Sequence, residues 1–575
     1  MDLATTLTNA LNLSSDHRPT VLEIDLSLGL LGEAPQDPLT ALRSRMTPRL
    51  PHVIAGLRHG AEDDAVVGAV IHVTPTVTAW QSEELAYALR AFRDAGKRVI
   101  AWSESFGELG PGTLPYYLAT VADEIWLQPS GSLGLLGVGL EVMTIRGTLD
   151  KIGAVPQFGQ RKEYKTAAEM YMSTDITEPN REMTDRIGAS VTEQVIASTM
   201  SARGLSEEQV REAITASPLT AERAQELGLV DRLGFRADVY AHLRETFADS
   251  DSTELPEQIG DPIRLLFAHR YARSITHQAV SKARARRQPI IGVVEVHGGI
   301  ITGRGSGPRP GRSEAASDLI VAALRAAGEN DAVRAVVLRV DSPGGSYVAS
   351  DAIRDQVRRL QASGRPVIAS MGALAASGGY FVSMPADTIV ALPSTLTGSI
   401  GVLGGKIMIK DTLAKIGVNR QSIGTAEATM FSGTRLFDDA EWQKVESWLD
   451  LVYDDFTHKA AADRELPYEQ LEAVAKGRVW TGADALERGL VDRLGGLRTA
   501  IEIAAEKIGV DPDHARVQQF PQLPMLAKLK PAESSESPMA AGISGRPAGP
   551  LELLAATLGV EQTGVLTVPW RFTLT

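Results

Sequence analysis

The stretch "AVVLRVDSPGGSYVASDAIRDQV", residues 335–357, changes its period halfway along. It opens on an apolar, β-branched run and passes through Asp341-Ser342-Pro343-Gly344-Gly345. It then places Ala349, Ile353, Val357 and, just beyond, Leu360 on one helical face. Similar runs, "PIIGVVEV" (289–296) and "RPVIAS" (365–370), lie on either side, and a later helix repeats the pattern with Trp442, Val445, Leu449, Val452 and Phe456. Runs apolar at nearly every position are strands covered on both faces by helices, so the spacing predicts an α/β fold.

Outward from this stretch the chain repeats itself. "LTAERAQELGLVDRLG" (219–234) and "WTGADALERGLVDRLG" (480–495) share an identical GLVDRLG at a spacing of 261. Nearly the same offset relates "VADEIWLQPSGSLGLLGV" (121–138) to "PADTIVALPSTLTGSIGV" (385–402), and "GKRVIAWSES" (96–105) to "GRPVIASMGA" (364–373). A repeat of roughly 220 residues is too long for a solenoid, so each copy reads as a domain. The expected boundaries are a short extension at 1–20, a first repeat at 21–248, a linker with a basic segment at 249–288, a second repeat at 289–522 and a partly disordered tail at 523–575. The linker begins with the polar "ADSDSTELPEQIGDP" and continues into an arginine-rich run, which reads as a solvated connector, with docking to an acidic surface as the alternative. The tail contains "PAESSESPMAAGISGRPAGP", rich in Pro, Ser and Gly.

The bulk composition sets limits. At 575 residues the chain exceeds one core, and 43% hydrophobic with 22% charged residues is a globular profile. A net charge of −13 argues against general nucleic-acid affinity, which needs clustered Lys and Arg. With no cysteine there is no disulfide, thiolate metal site or thiol nucleophile. The first 35 residues carry scattered Asp and Glu and lack a basic start followed by an apolar run. No window reaches the ~18 to 20 apolar residues of a membrane span, so work at a membrane is expected to need docking.

Two glycine-bearing turns are where chemistry fits. At Gly344-Gly345 backbone N–H groups are free to face a developing oxyanion, although a tight turn with Ser342 or Ser346 as helix cap explains the same residues. After the next strand comes "GALAASGGY" (372–380), where Ser377 sits at a strand-to-helix turn and the Gly378 N–H follows it. Close helix packing is the competing account of that motif. A serine needs a base, and His297 and His458 stand in no Gly-rich or Asp-associated context. A lysine serves if burial lowers its pKa toward neutrality. Comparing the copies selects one. Lys165 of "EYKTAAEM" falls opposite Ala426, in a stretch with no lysine before Lys444, whereas Thr113 falls roughly opposite Ser377. One copy has the lysine without the serine, and the other the reverse.

DSPGGS, MGALAASGGY, PSTLTGSIGV and YKTA together resemble the signal peptide peptidase family, also called protease IV, in its long tandem-repeat form, over roughly residues 20–520. The resemblance implies a serine protease on two Clp protease/crotonase-like domains with ββα-type repeats. It makes Ser377 the nucleophile, Lys165 the general base, Ser399 a lysine-orienting residue, and Gly344, Gly345 and Gly378 the oxyanion positions. It also implies no cofactor or metal, cleaved signal peptides and unfolded apolar segments as substrates, and a homotetramer. Many relatives carry an N-terminal anchor, and none is visible in this sequence; the expectation is membrane association without a span of its own, or a cytoplasmic enzyme. Two rivals stay open: a crotonase-fold acyl-CoA enzyme, in which Asp341 would have to serve as the acid near the glycines, and an inactive scaffold.

Overall fold

The expected strand at 335–340 extends over Val333–Ser342, and its side chains alternate between two apolar layers. Val336, Leu338 and Val340 join a core with Ile353, Val357 and Phe381, while Ala335 and Val337 pack with Ala500 and Ala504 of the helix Leu497–Lys507. Burial on both faces explains why the run is apolar apart from Arg339, whose guanidinium donates to Ser370 Oγ and the Met371 carbonyl. The computed structural model describes residues 18–32, 44, 47–108, 110–248, 261–272, 288–305, 313–425, 427–512, 515–521 and 566–567. Most of the linker with its basic segment, most of the tail, and Ala426 lie outside the described residues.

The chain divides into two compact units, one of residues 1–139, 191–286 and 574–575, the other of residues 140–190 and 287–573. In unit 1 the sheet order is Arg232–Leu233, Glu124–Leu127, Arg98–Ser103, Val66–His72, Thr20–Asp25, Arg264–Phe267, parallel throughout. Unit 2 contains the same series: Arg493–Leu494, Thr388–Ala391, Val367–Ala376, Val333–Ser342, Ile290–His297, Arg516–Phe520. The duplicated sequence is thus a duplicated sheet topology.

The identical heptapeptides have a structural reason. Asp231 accepts the Ile125 N–H at 2.7 Å and pairs with Arg203, while Asp492 accepts the Ile389 N–H at 2.7 Å and pairs with Arg464. Tyr116 donates to the Leu229 carbonyl, and Tyr380 does the same to Leu490. GLVDRLG therefore ties the end of each unit to its sheet.

The helix Tyr347–Ala362 buries Ala349, Ile353, Val357 and Leu360, the face expected from the sequence, and Ser346 is its N-cap. In Asp439–Asp463, Val445, Leu449, Val452 and Phe456 are buried, whereas Trp442 is only partly covered at the margin of the same core. Leu449 is fully enclosed. Leu449→Ala is expected to destabilise unit 2 by about 3 kcal/mol, read as a lower urea midpoint, because the cavity left by a buried leucine is only partly refilled. Among the described residues no helix is long and apolar enough to cross a membrane.

Unit 2 extends what unit 1 holds in shorter form, where Phe106 bridges Leu133 in parallel and Ser132–Leu133 pairs antiparallel with Leu219–Thr220. Val367–Ala376 pairs first with Thr388–Ala391 and then, through Leu374–Ala376, with Leu396–Gly398, which in turn pairs antiparallel with Val479–Thr481. The strand is bulged between these partners: Val340 is opposite Met371 and Ser342 opposite Ala375, leaving Gly372–Leu374 to face Asp341. The Asp341 carboxylate accepts the Leu374 N–H at 3.2 Å and so fills the bulge.

Candidate active site

Ser377 follows the last residue of Val367–Ala376 and precedes the short helix Gly378–Ser383. Its backbone lies at φ 56° and ψ −114°, a region that costs a non-glycine residue about 1–3 kcal/mol and persists only where surroundings enforce it. Two hydrogen bonds enforce it here. The Ser377 N–H donates to the Gly398 carbonyl at 2.8 Å, and its own carbonyl accepts the Phe381 N–H at 2.9 Å. The glycines that follow admit neighbouring backbone. A Cβ on Gly378 would lie 3.0 Å from Gly344 Cα, and one on Gly379 would lie 2.5 Å from the Ser342 carbonyl oxygen. Close packing and the strand-to-helix turn at Ser377 are therefore one arrangement: the DSPGG turn is pressed against the residue after Ser377.

Lys165 arrives from the stretch that belongs to the first repeat by sequence but to unit 2 in space. The strand Val155–Arg161 pairs antiparallel with Val402–Met408, from Val155 opposite Met408 to Arg161 opposite Val402. The chain then turns inward, the Tyr164 N–H donating to the Lys476 carbonyl at 3.2 Å. Gly477 makes the turn possible, since a Cβ there would lie 2.5 Å from the Lys165 backbone nitrogen and Cβ. Lys165 and Ser377, which belong to different repeats by sequence, therefore lie within one unit.

The Lys165 ammonium nitrogen is 2.8 Å from Ser377 Oγ, 3.0 Å from Ser399 Oγ and 3.1 Å from the Ser399 carbonyl oxygen. Lys165 is 1% exposed, Ser377 0% and Ser399 2%. Removal from water by burial pushes the Lys165 pKa down to about 7. A neutral amine then has a lone pair to accept the Ser377 O–H, while its N–H groups donate to Ser399. Ser399, like Ser377, holds positive φ, at 50°, with its N–H on the Arg478 carbonyl at 2.7 Å.

The three glycines expected to line an oxyanion pocket differ. The Gly344 N–H donates to Ser342 Oγ at 3.2 Å. Gly345 has φ 155°, and a Cβ on it would lie 2.0 Å from the Ile300 carbonyl oxygen. Gly378 begins its helix, where an N–H has no partner within the helix itself. In unit 1, Thr113 occupies the corresponding helix start, buried, with its hydroxyl accepting the Leu136 N–H at 3.1 Å. His297 ends the strand Ile290–His297, and His458 binds the Asp454 carbonyl one turn back on its own helix.

Gly477 and the Ser399 carbonyl were missed in the sequence. Gly477 carried a readable signal: aligned on the repeated heptapeptide it stands opposite Ala216, a glycine gained only where a lysine backbone must pass.

Two family models match the chain. The model described as peptidase family S49 matches residues 91–248 and 359–511, more than half of the sequence, and that described as Clp protease matches residues 310–400. The chain is 33% identical to Protease 4 of Salmonella typhi over 465 residues, covering 79% of this chain and 71% of the relative. It is 30% identical to Protease 4 of Haemophilus influenzae over 504 residues, covering 84% and 77%. Identity to the chloroplastic serine protease SPPA of Arabidopsis thaliana is 30% over 464 residues, covering 80% of this chain and 66% of the relative. The matched part thus spans between 66% and 77% of these relatives' own lengths.

Proposed function

Because this chain belongs to peptidase family S49 and is a serine protease, we propose that it cleaves extended peptides with Ser377 as nucleophile and neutral Lys165 as general base. One observation carries the reading: a buried amine with its pKa lowered to about 7 lies 2.8 Å from a hydroxyl set in a strained strand-to-helix turn ahead of two glycines. Lys165 Nζ takes the Ser377 proton as Oγ attacks the peptide carbonyl, and the ammonium returns it to the departing amine. Water, deprotonated by the same nitrogen, then releases the acyl group. Ser399, through its hydroxyl and carbonyl, fixes the direction of the amine lone pair. The N–H groups of Gly345 and Gly378 are the donors assigned to the oxyanion. Gly344 is assigned a shaping role, its N–H being held by Ser342.

The substrate is read as a peptide lying in β conformation along Gly344–Gly345, with signal peptides and other unfolded apolar segments as the class. The acyl-CoA alternative is disfavoured because the Asp341 carboxylate is engaged in the strand bulge.

A base that must be neutral gives a single acid limb. Peptidase kcat/KM is expected to rise with pH through a midpoint near 7, the value to which burial lowers Lys165, and to level off above it. A fluorophosphonate probe should label Ser377 with the same pH dependence. Labelling at another residue, or labelling unaffected by Ser377→Ala, would remove the proposal.

A further inference from the structure

The turn that delivers Lys165 is held from behind by an arginine. Tyr164, the residue before the lysine, donates its hydroxyl to one oxygen of the Glu182 carboxylate at 2.7 Å, and Arg478 donates to the other at 2.8 Å. The Arg478 guanidinium also lies 4.7 Å from the centre of the Tyr164 ring and 4.4 Å from that of Trp480. Arg488 follows on the Trp480 ring at 4.0 Å and donates to the Asp484 carbonyl at 2.6 Å. Tyr164, Arg478, Trp480 and Arg488 thus form a run of cation–π contacts that begins one residue from the amine.

The backbone of Arg478 reaches the same place by another route. Its carbonyl accepts the Ser399 N–H at 2.7 Å, and Val479 pairs with Gly398, whose carbonyl accepts the Ser377 N–H. Arg478 therefore holds the residue before Lys165 through its side chain, and the residue bonded to the Lys165 amine through its backbone. Stability alone does not account for it. Its Nε is buried with no hydrogen-bond partner among the described residues, and an unsatisfied donor is a cost to the fold. The repeats add an independent sign. At the spacing of 261, Arg478, Trp480 and Arg488 stand opposite Ser217, Leu219 and Leu227, so the run is missing from the copy that lacks the serine.

We propose that Arg478 is a positioning residue for the reaction: by clamping Tyr164 against Glu182 it fixes the Lys165 amine on Ser377 and keeps water from it. The inference rests on the dyad reading above and deepens it. The role needs a guanidinium, because a lysine at 478 keeps the charge but has neither the fork for a carboxylate nor the flat face for the rings. The contacts of Arg478 are to the lysine turn, so its loss should cost kcat and leave KM alone.

The test uses the full chain. Arg478→Ala should lower kcat for an unfolded reporter peptide about 100-fold with KM unchanged, the scale of loss that a misplacement of about 1 Å produces. The acid limb of kcat/KM should move up by about one pH unit as water reaches the amine. Millimolar methylguanidinium should recover about tenfold of the lost rate, whereas Arg478→Lys should behave like Arg478→Ala without it. Glu182→Gln, at a half-exposed position, should lower kcat about tenfold by the same route, and it decides the matter if the arginine variants do not fold. Urea unfolding in Ser377→Ala chains, where nothing turns over, gives a readout free of catalysis. Between pH 7 and 9 the ratio of folded to unfolded chain should rise about fivefold less when Arg478 is also alanine, because a less enclosed amine keeps its proton in the folded state. A loss carried by KM overturns the proposal, as does a loss in kcat with the acid limb and the pH dependence of unfolding both unchanged. If the unsubstituted chain does not hydrolyse the reporter, the dyad reading fails, and the unfolding comparison still decides whether Arg478 encloses Lys165.

Discussion

Lys165→Ala is expected to lower kcat/KM for a peptide substrate by about 10³- to 10⁴-fold, with Ser377→Ala falling at least as far and the double variant no further. On the proposed assignment one proton passes between the two side chains across 2.8 Å. An alanine at 165 leaves the buried Ser377 Oγ without its proposed base. An alanine at 377 leaves the amine with nothing to deprotonate. Members of such a pair fail as a unit, so their losses do not add. Equal activity of Lys165→Ala and the unsubstituted chain would end the dyad assignment. Additive losses in the double variant would mean that the two residues act in separate steps.

The second large effect concerns stability. Lys165 has its ordinary pKa of 10.5 in the unfolded chain and about 7 when folded. Between those values the unfolded chain binds more protons than the folded one, so this group makes stability rise with pH across pH 7 to 10.5 and adds a constant penalty below. At about 1.4 kcal/mol per pH unit the full penalty is roughly 5 kcal/mol. Lys165→Met keeps an unbranched chain in the same space and removes the charge. The variant loses the hydrogen bonds to Ser377 and Ser399, which offsets part of the gain, by about 1–3 kcal/mol. The net expectation is a chain about 2–4 kcal/mol more stable than the native one at pH 6, the advantage shrinking as pH rises toward 10. Urea unfolding of both chains at several pH values measures it. A constant difference across pH would mean that Lys165 is not held neutral by folding.

Much of this was legible before any coordinates. Val333–Ser342 announced itself because burial on both faces makes its centre nearly all apolar, and the helix faces of Ala349 and Val445 followed from period alone. That Ser377 and Lys165 belong together was legible because the two copies differ at those positions and agree where an aspartate ties down the sheet. What stayed hidden depends on contacts between distant segments. "VPQFGQR" (155–161) and "VLGGKIM" (402–408) are poor strand sequences with weak alternation, and their pairing is fixed by each other. The Ser399 carbonyl contributes through backbone, which carries no sequence signature. The glycine that admits Lys165 reads as an ordinary turn residue until the lysine backbone is seen against it.

The placement of Lys165 and Ser377 in different repeats has an evolutionary consequence. With threonine at 113 in the first copy and no lysine in the stretch 422–443 of the second, neither repeat carries both members of the proposed dyad, and loss of either through recombination between the repeated segments is expected to abolish the reaction. The duplication became a ratchet: two redundant halves turned into mutually dependent ones, and the gene can no longer shrink back to the unit from which it grew.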